Sequence, residues 1–317
     1  TLLENSIAVD AAGNVWIVYR ESLAMHIVHR APGGALSTYQ PVISHYSSDI
    51  AVDALGNVHV AYVGGSSLYY AVKGPNDSTF TITEVTSSGG VGDTTLAVSP
   101  SGDVHIVLRT TSLSYHRKLA GSAMFEQMQW KNNVLSGSQV AELDPQGNLH
   151  VGFTEKLFAQ SSLHNVSELF VPAGSLSFAE DAFDTNATGG KLGFDVDPLG
   201  GLHASYGDSF ATDVVHAVKP VGAPMWTTTD CIACGGPIQS DVVGQASGAT
   251  DVVYSVANGA QRTLHHNRFG AGATSAQLTT NTGFHSLAGD SAGGLHLAYV
   301  DKTAQPMPTL RYGYRCP

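Results

Sequence analysis

Charge is scarce in this chain. Only 13% of its 317 residues are charged, and 15 Lys and Arg face 26 Asp and Glu, a formal net charge of −11. A phosphate backbone or an anionic membrane surface needs a basic face, so neither nucleic acid nor lipid headgroups are expected as partners. A disordered acidic segment would show many charges and few apolar residues, whereas 43% of this chain is hydrophobic. No apolar run reaches the roughly 18 residues of a spanning helix, so no membrane insertion is expected. Cysteine is almost missing, with three residues in all. Cys231 and Cys234 lie in the Gly-rich turn CIACGG. A redox pair there would need a βαβ setting, and a zinc site a second pair of ligands. Neither is visible, so a local disulfide or two inert thiols are expected, with Cys316 left over. The motifs GKS/T and HExxH and the EF-hand loop do not occur. The chain opens on Thr1 with no charged n-region and apolar h-region, which reads as a processed or trimmed product.

What the chain has is repetition. The segment DIAVDALGNVHVAY from Asp49 recurs as SIAVDAAGNVWIVY from Ser6, TLAVSPSGDVHIVL from Thr95 and VAELDPQGNLHVGF from Val140. It continues as GFDVDPLGGLHASY from Gly193, DVVGQASGATDVVY from Asp241 and SLAGDSAGGLHLAY from Ser286. The turn glycines Gly13, Gly56, Gly102, Gly147, Gly200, Gly248 and Gly293 are 43 to 53 residues apart, which uses up the whole chain. A second signature, Leu–x–Tyr/His–x–x–Lys/Arg, follows each one, as LYYAVK at Leu68, LSYHRK at Leu113, VVHAVK at Val214 and LRYGYR at Leu310. MHIVHR at Met25 and LHHNRF at Leu264 are looser copies, and repeat 4 reduces to LHNVSE at Leu163.

Apolar and polar residues alternate over five or six positions between Gly, Asn, Asp and Ser, the pattern of half-buried strands. Asp at the first turn position accepts backbone N–H bonds and Gly supplies the positive φ, closing a tight hairpin. Four short strands in about 45 residues make one propeller blade. The expected fold is therefore all-β: a single seven-bladed β-propeller domain over 1–317, with four antiparallel strands per blade. Blades should start near residues 5, 48, 94, 139, 192, 240 and 285. A right-handed β-solenoid is the alternative. The last repeat runs out after its third strand, so its outer strand would have to come from Thr1 to Glu4, from an extension before them, or be missing. The chain is expected to be a monomer unless another chain completes the ring.

The unit resembles the L-A-x-D-x-x-G-N-x-H-I-A-Y … L-x-Y-A repeat of secreted bacterial seven-bladed propellers, and DIAVDALGNVHVAYVGGSSLYYAVK is its nearest copy. The resemblance covers all the repeats. It implies a secreted or cell-surface propeller and leaves activity open, since such propellers include lectin-like binders, enzymes and proteins without assigned function. The turn differs from the sialidase Asp-box, S-x-D-x-G-x-x-W, so sialidase roles are not carried over.

Features shared by every blade read as structural, and departures from symmetry as candidate function. The aligned second-strand position holds Trp16, His59, His105, His150, His203, Asp251 and His296. A half-buried imidazole repeated in this way is expected to bond a backbone carbonyl or Tyr. Counting back through the hairpin, the residue opposite is Ala8, Ala51, Ala97, Glu142, Asp195, Val243 and Ala288. Glu142 should thus face His150, and Asp195 should face His203, within reach of a carboxylate–imidazole bond. These four are the candidate catalytic residues, and Glu142, Asp195 and Asp251 the candidate ligands of a divalent cation. No other cofactor is expected. The competing reading makes each pair a self-satisfied bond.

Candidate binding residues lie past the second strands and before the first ones: Arg20, His45, Tyr46, Arg109, Lys156, Asp208, Arg262 and Asp301, with Trp16 and Asp251. The long repeat 4 also places Leu157 and Phe158 in a loop, a candidate pocket wall. The expected function is one-site binding of an extracellular glycan or protein. The alternatives are a polysaccharide lyase or hydrolase using the carboxylate–His pairs of blades 4 and 5, or an architectural module of a larger assembly.

Overall fold

The computed structural model describes residues 2–42, 44–87, 92–134, 137–159, 161–188, 190–208, 213–233, 237–258, 261–270, 272–303 and 308–316. The protein is an all-β, seven-bladed β-propeller. Six sheets are four-stranded and antiparallel, with strands in sequence order, and the seventh shows three strands among the described residues. No helix is long and apolar enough to cross a membrane. First strands begin at Leu2, Ser47, Asp93, Gln139, Gly193, Pro237 and Thr282, within a few residues of the expected blade starts.

Turn chemistry sets each blade. In blade 2 the Asp53 Oδ1 accepts the N–H groups of Leu55 and Asn57 at 2.9 and 2.8 Å. The Gly56 N–H closes on the Asp53 carbonyl at 3.0 Å with φ of +79°, a left-handed conformation that a Cβ would disfavour. The other turn glycines of the repeat share this positive φ. Second strands are covered on both faces, so Val58–Gly64 is buried along nearly its whole length rather than alternating. Fourth strands such as Thr81–Ser87 are mostly exposed and correspondingly Thr-rich.

The chain divides into two compact units. The first consists of residues 1–133, 284–300 and 304–317, and so holds blades 1 to 3 and most of blade 7. Its core lies between neighbouring sheets: Trp16, Val18, Met25 and Ile27 of blade 1 pack on Ile50, Val60 and Tyr62 of blade 2. Ala61, Leu68 and Tyr70 pack in turn on Leu96, Ile106 and Leu108 of blade 3. Ile7 and Ile17 meet Ala298 of blade 7. Burying each such large side chain contributes about 1.5–3 kcal/mol. Leu2–Val9 forms the first strand of blade 1, paired with Val15–Glu21. Leu2 to Glu4 therefore do not complete blade 7, one of the sources considered for its outer strand. The second unit, residues 134–283 and 301–303, holds blades 4 to 6. Phe194, Ala204 and Tyr206 there pack on Val166 and Ala187, and Val252 and Tyr254 pack around Val214.

Candidate functional site

The repeated histidines serve a repeated network. In blade 2 the His59 Nε2 lies 3.2 Å from Asp53 Oδ2 and its Nδ1 lies 2.7 Å from the Tyr70 hydroxyl. Blade 7 repeats it, with His296 bonded to Asp290 at 3.1 Å and to Tyr312 at 2.8 Å. Blade 3 has Ser99 in place of the turn Asp and keeps only the Tyr115 bond, at 2.6 Å from His105. Burial pushes His59 down, against the pull of Asp53, and pushes His105 to about 4. At His59 a neutral ring can satisfy both contacts, Nε2–H donating to Asp53 and Nδ1 accepting the Tyr70 proton. The Tyr partner expected from the repeat is thus present in three blades. The second bond, to the turn Asp that also caps the hairpin, went unforeseen, although Asp and His are separated by six residues in four of the seven copies.

Blade 4 breaks this pattern in an unexpected way. Glu142 does pair with His150 in register, and Asp195 with His203. The imidazoles, however, are engaged elsewhere. His150 Nε2 contacts Asp144 Oδ2 at 3.3 Å and its Nδ1 contacts Glu168 Oε1 at 2.8 Å. Glu168 stands opposite Gly152, just as Tyr70 stands opposite Ala61 in blade 2. Glu168 is therefore blade 4's counterpart of the Tyr. The third-strand signature of this repeat is VSELFV from Val166, not LHNVSE at Leu163, because the connecting loop absorbs the extra residues. Glu168 is only 3% exposed and its other oxygen takes the Lys219 ammonium at 3.0 Å, while Lys219 also reaches Asp181 at 2.9 Å. Although burial opposes ionisation, the His150 and Lys219 bonds hold the Glu168 carboxyl below its usual range.

In blade 5, His203 bonds Asp197 at 3.1 Å and the Thr250 hydroxyl at 3.0 Å, and Asp195 accepts the Gly244 N–H at 2.7 Å. Desolvation lifts the Asp195 carboxyl to about 6, opposed by that N–H and by His203. His216 takes the Tyr place here, opposite Ser205. Blade 6 inverts the polarity of the whole set. Gln245 replaces the turn Asp, Asp251 the His and His266 the Tyr. Asp251, fully buried, accepts from His266 Nε2 at 2.8 Å and from Gln245 and Arg268 at 3.4 Å. Donor and acceptor have exchanged positions. Asp251 is thus an internal acceptor, which removes it from the expected solvent-facing binding set. Among the described residues no three His, Cys, Asp or Glu side chains are arranged to hold a metal ion, so Glu142, Asp195 and Asp251 do not form the expected cation cluster.

One cavity of about 320 Å³ lies in the first unit, lined by Glu4, Arg20, Tyr46, Gly92, Asp93, Arg109 and Thr110. It brings together three of the expected binding residues. Arg20 is the penultimate residue of the second strand of blade 1 (Val15–Glu21) and Arg109 the last of that of blade 3 (Val104–Arg109), each seven residues after its turn glycine. The same position holds Val63, Thr154, Gly207, Ser255 and Val300 in the remaining blades. Arg20 Nη1 donates to the Tyr46 carbonyl at 2.8 Å, and Arg109 Nη2 pairs with the Asp93 carboxylate. Gly92 fits so closely that a Cβ would collide with the Arg109 carbonyl oxygen, which brings Asp93 beside the guanidinium. The two acids were not foreseen, yet the register carries Asp93. Four residues on from the His105–Ala97 pair, Arg109 stands opposite it. In blade 1 a bulge between Leu3 and Asn5 shifts this register and leaves Glu4 out of the ladder, with φ of +31°.

Other expected positions fall elsewhere. Trp16, expected on a binding face, is 6% exposed and stacks on His29 at 4.1 Å, so it is a packing residue. His45 is buried, its Nδ1 3.3 Å from the Leu23 carbonyl oxygen, and burial drives it to about 4. In the second unit, Lys156 ends the second strand of blade 4, and Asp208 forms a bridge to Ala187. Arg262 accepts the Thr282 hydroxyl on its carbonyl. Asp301 caps Thr303 through bonds of 2.8 Å to its N–H and 2.5 Å to its hydroxyl. Leu157 and Phe158 follow the second strand of blade 4 and are exposed. Cys231 pairs with Val214 in the blade 5 sheet, whereas Cys234 lies outside the described residues, and Cys316 is exposed and free.

No family model matches the chain, and no curated protein does. Solved structures do. An ulvan polysaccharide lyase bound to -[GlcA(1-4)Rha3S]- is similar at a TM-score of 0.65 and 11% identity, over 96% of this chain and 90% of that one. A protein of unknown function from Dyadobacter fermentans DSM 18053 gives 0.58 and 10%, over 99% and 94%. A mutant of Aleuria aurantia lectin in complex with alpha-methyl-L-fucoside gives 0.55 and 12%, over 84% and 93%. At these identities the likeness shows the propeller fold alone.

Proposed function

We propose that this propeller is an extracellular glycan-binding module that takes its ligand at the Arg20–Tyr46–Arg109 cavity. The observation that carries the reading is the convergence, from separate blades, of two guanidinium groups, two carboxylates and a tyrosine around a hollow of about 320 Å³. That volume lies at the lower end of small-ligand sites, and a few placed polar groups in a concave surface are what such sites require. Sugar hydroxyls both donate and accept, so alternating Arg and Asp or Glu suits them. Since the arginine position is not repeated in the other blades, the reading is of one such site among the described residues. Lectins and carbohydrate-active enzymes among the propellers of similar fold support a glycan over a protein ligand.

The lyase or hydrolase alternative loses its intended machinery. An acid–base imidazole must exchange protons with substrate. His150 and His203 are 7% and 4% exposed, with both ring nitrogens held by neighbours. A glycan array with the full chain, followed by Arg20→Ala and Arg109→Ala, tests the proposal. Binding of the array hits should fall at least tenfold with the melting curve retained. Unchanged binding in both folded variants would place the site elsewhere.

A further inference from the structure

Donor accounting at the cavity says more than that a sugar fits there. A guanidinium carries five N–H donors and no acceptor. Arg20 spends one nitrogen, Nη1, on the Tyr46 carbonyl, and Arg109 spends Nη2 on Asp93. The Nε of both is buried without an acceptor among the described residues. Arg109 has a carboxylate partner; Arg20 forms no ion pair among the described residues. A buried donor left unmatched is costly, and folding alone would be better served by an apolar residue, as at Val63 in blade 2. The cost is retained at equivalent positions of blades 1 and 3, and both arginines face one hollow.

The chain has few cations to spare, 15 in 317 residues at a net charge of −11. Long-range attraction therefore does not bring an anion here, and recognition must rest on direct contact. A planar guanidinium meets a carboxylate or sulfate through paired N–H···O bonds, stronger and geometrically more specific than its bonds to a neutral hydroxyl. We infer that the cavity selects a sugar residue bearing an anionic group, carboxylate or sulfate, with Arg20 as its chief counter-ion and Arg109 as the second, partly neutralised by Asp93. This rests on the glycan-binding reading above and names the ligand class for the same site.

Short probes suit the test, because a long polyanion would be repelled by the acidic chain as a whole. Trigalacturonic acid, its carboxyl-reduced trisaccharide and a sulfated trisaccharide are titrated calorimetrically against the full-length protein. At least one acidic probe should bind ten times more tightly than the neutral one, and which of the two does so identifies the anion. Arg20→Gln, which keeps length and an amide donor, should abolish that preference, weakening the acidic probe at least tenfold more than the neutral one. Asp93→Asn, which releases Arg109, should tighten the acidic probe severalfold, a gain that a merely structural role for the pair would not produce. Equal affinity for acid and neutral forms, reduced alike by Arg20→Gln, would overturn the anion inference and leave the glycan site standing. Binding that ignores both Arg20→Gln and Arg109→Gln in folded protein would overturn both. Failure of both acidic probes to bind at millimolar concentration would also overturn the inference.

Discussion

Replacing Glu168 by Ala removes the carboxylate that joins His150 to Lys219. The wild-type group is 3% exposed and makes bonds of 2.8 and 3.0 Å. Breaking one side of a buried ion pair costs about 3–5 kcal/mol, because the partner charge stays behind uncompensated. Two features place this case at the lower end. Lys219 retains Asp181 at 2.9 Å, and His150 retains Asp144 at 3.3 Å. A loss of about 3 kcal/mol is expected, roughly a hundredfold in the unfolding equilibrium. Glu168→Tyr installs the residue that blades 2, 3 and 7 use, restoring a bond to His150 Nδ1, and should cost only about 1 kcal/mol. Urea unfolding at pH 7 compares the three proteins. The pH dependence gives a second check. The Glu168 carboxyl is held down in the folded state, so its contribution is present above the unfolded value near 4.5 and lost as pH falls through the folded one. The gap between wild type and Glu168→Ala should narrow below about pH 4. A Glu168→Ala protein within about 0.5 kcal/mol of wild type, or a Tyr variant as damaged as the Ala one, would refute the assignment of Glu168 to the tyrosine place.

Asp251→His restores the majority residue of its row but sets an imidazole against His266 and Arg268 where an acceptor is needed. A loss of at least about 3 kcal/mol is expected in urea unfolding. Adding Gln245→Asp and His266→Tyr should recover most of it, and a neutral single variant would disprove the polarity inversion. Asp195 should respond to pH in the opposite sense to Glu168. Its raised folded-state value means that stability is full below the unfolded value near 3.8 and lost as pH rises through about 6. Asp195→Asn removes the charge and keeps an acceptor for the Gly244 N–H. It should therefore gain about 1–3 kcal/mol over wild type at pH 7.5 and nothing near pH 3.5, and destabilisation at both values would show the carboxylate to be needed as an ion.

Much of this molecule was legible because its rules are local. The Asp–x–x–Gly turns, the period-two strands and the pairing of Ala51 with His59 or Glu142 with His150 depend on residues within one hairpin, and they stand as counted. Repeat 4 defeated the count only where a longer loop displaced its third strand, hiding Glu168 behind a false copy at Leu163. Trp16 misled for another reason. A second-strand aromatic looks the same in sequence whether it faces solvent or lies buried against the next blade, as this one does.

The chain by itself fixed the number of blades, the hairpin register and the turn geometry, since hydrogen bonding and steric preference over about twenty residues suffice for those. Tertiary structure decided which neighbour each polar group reaches. His150 takes Glu168 from the third strand instead of the carboxylate beside it, and Lys219 of the next blade closes the pair. Arg20, Tyr46 and Arg109, from three different blades, meet only once the sheets pack side by side. Spacing along a repeat carries no term for that meeting, because it depends on where one blade ends relative to the next.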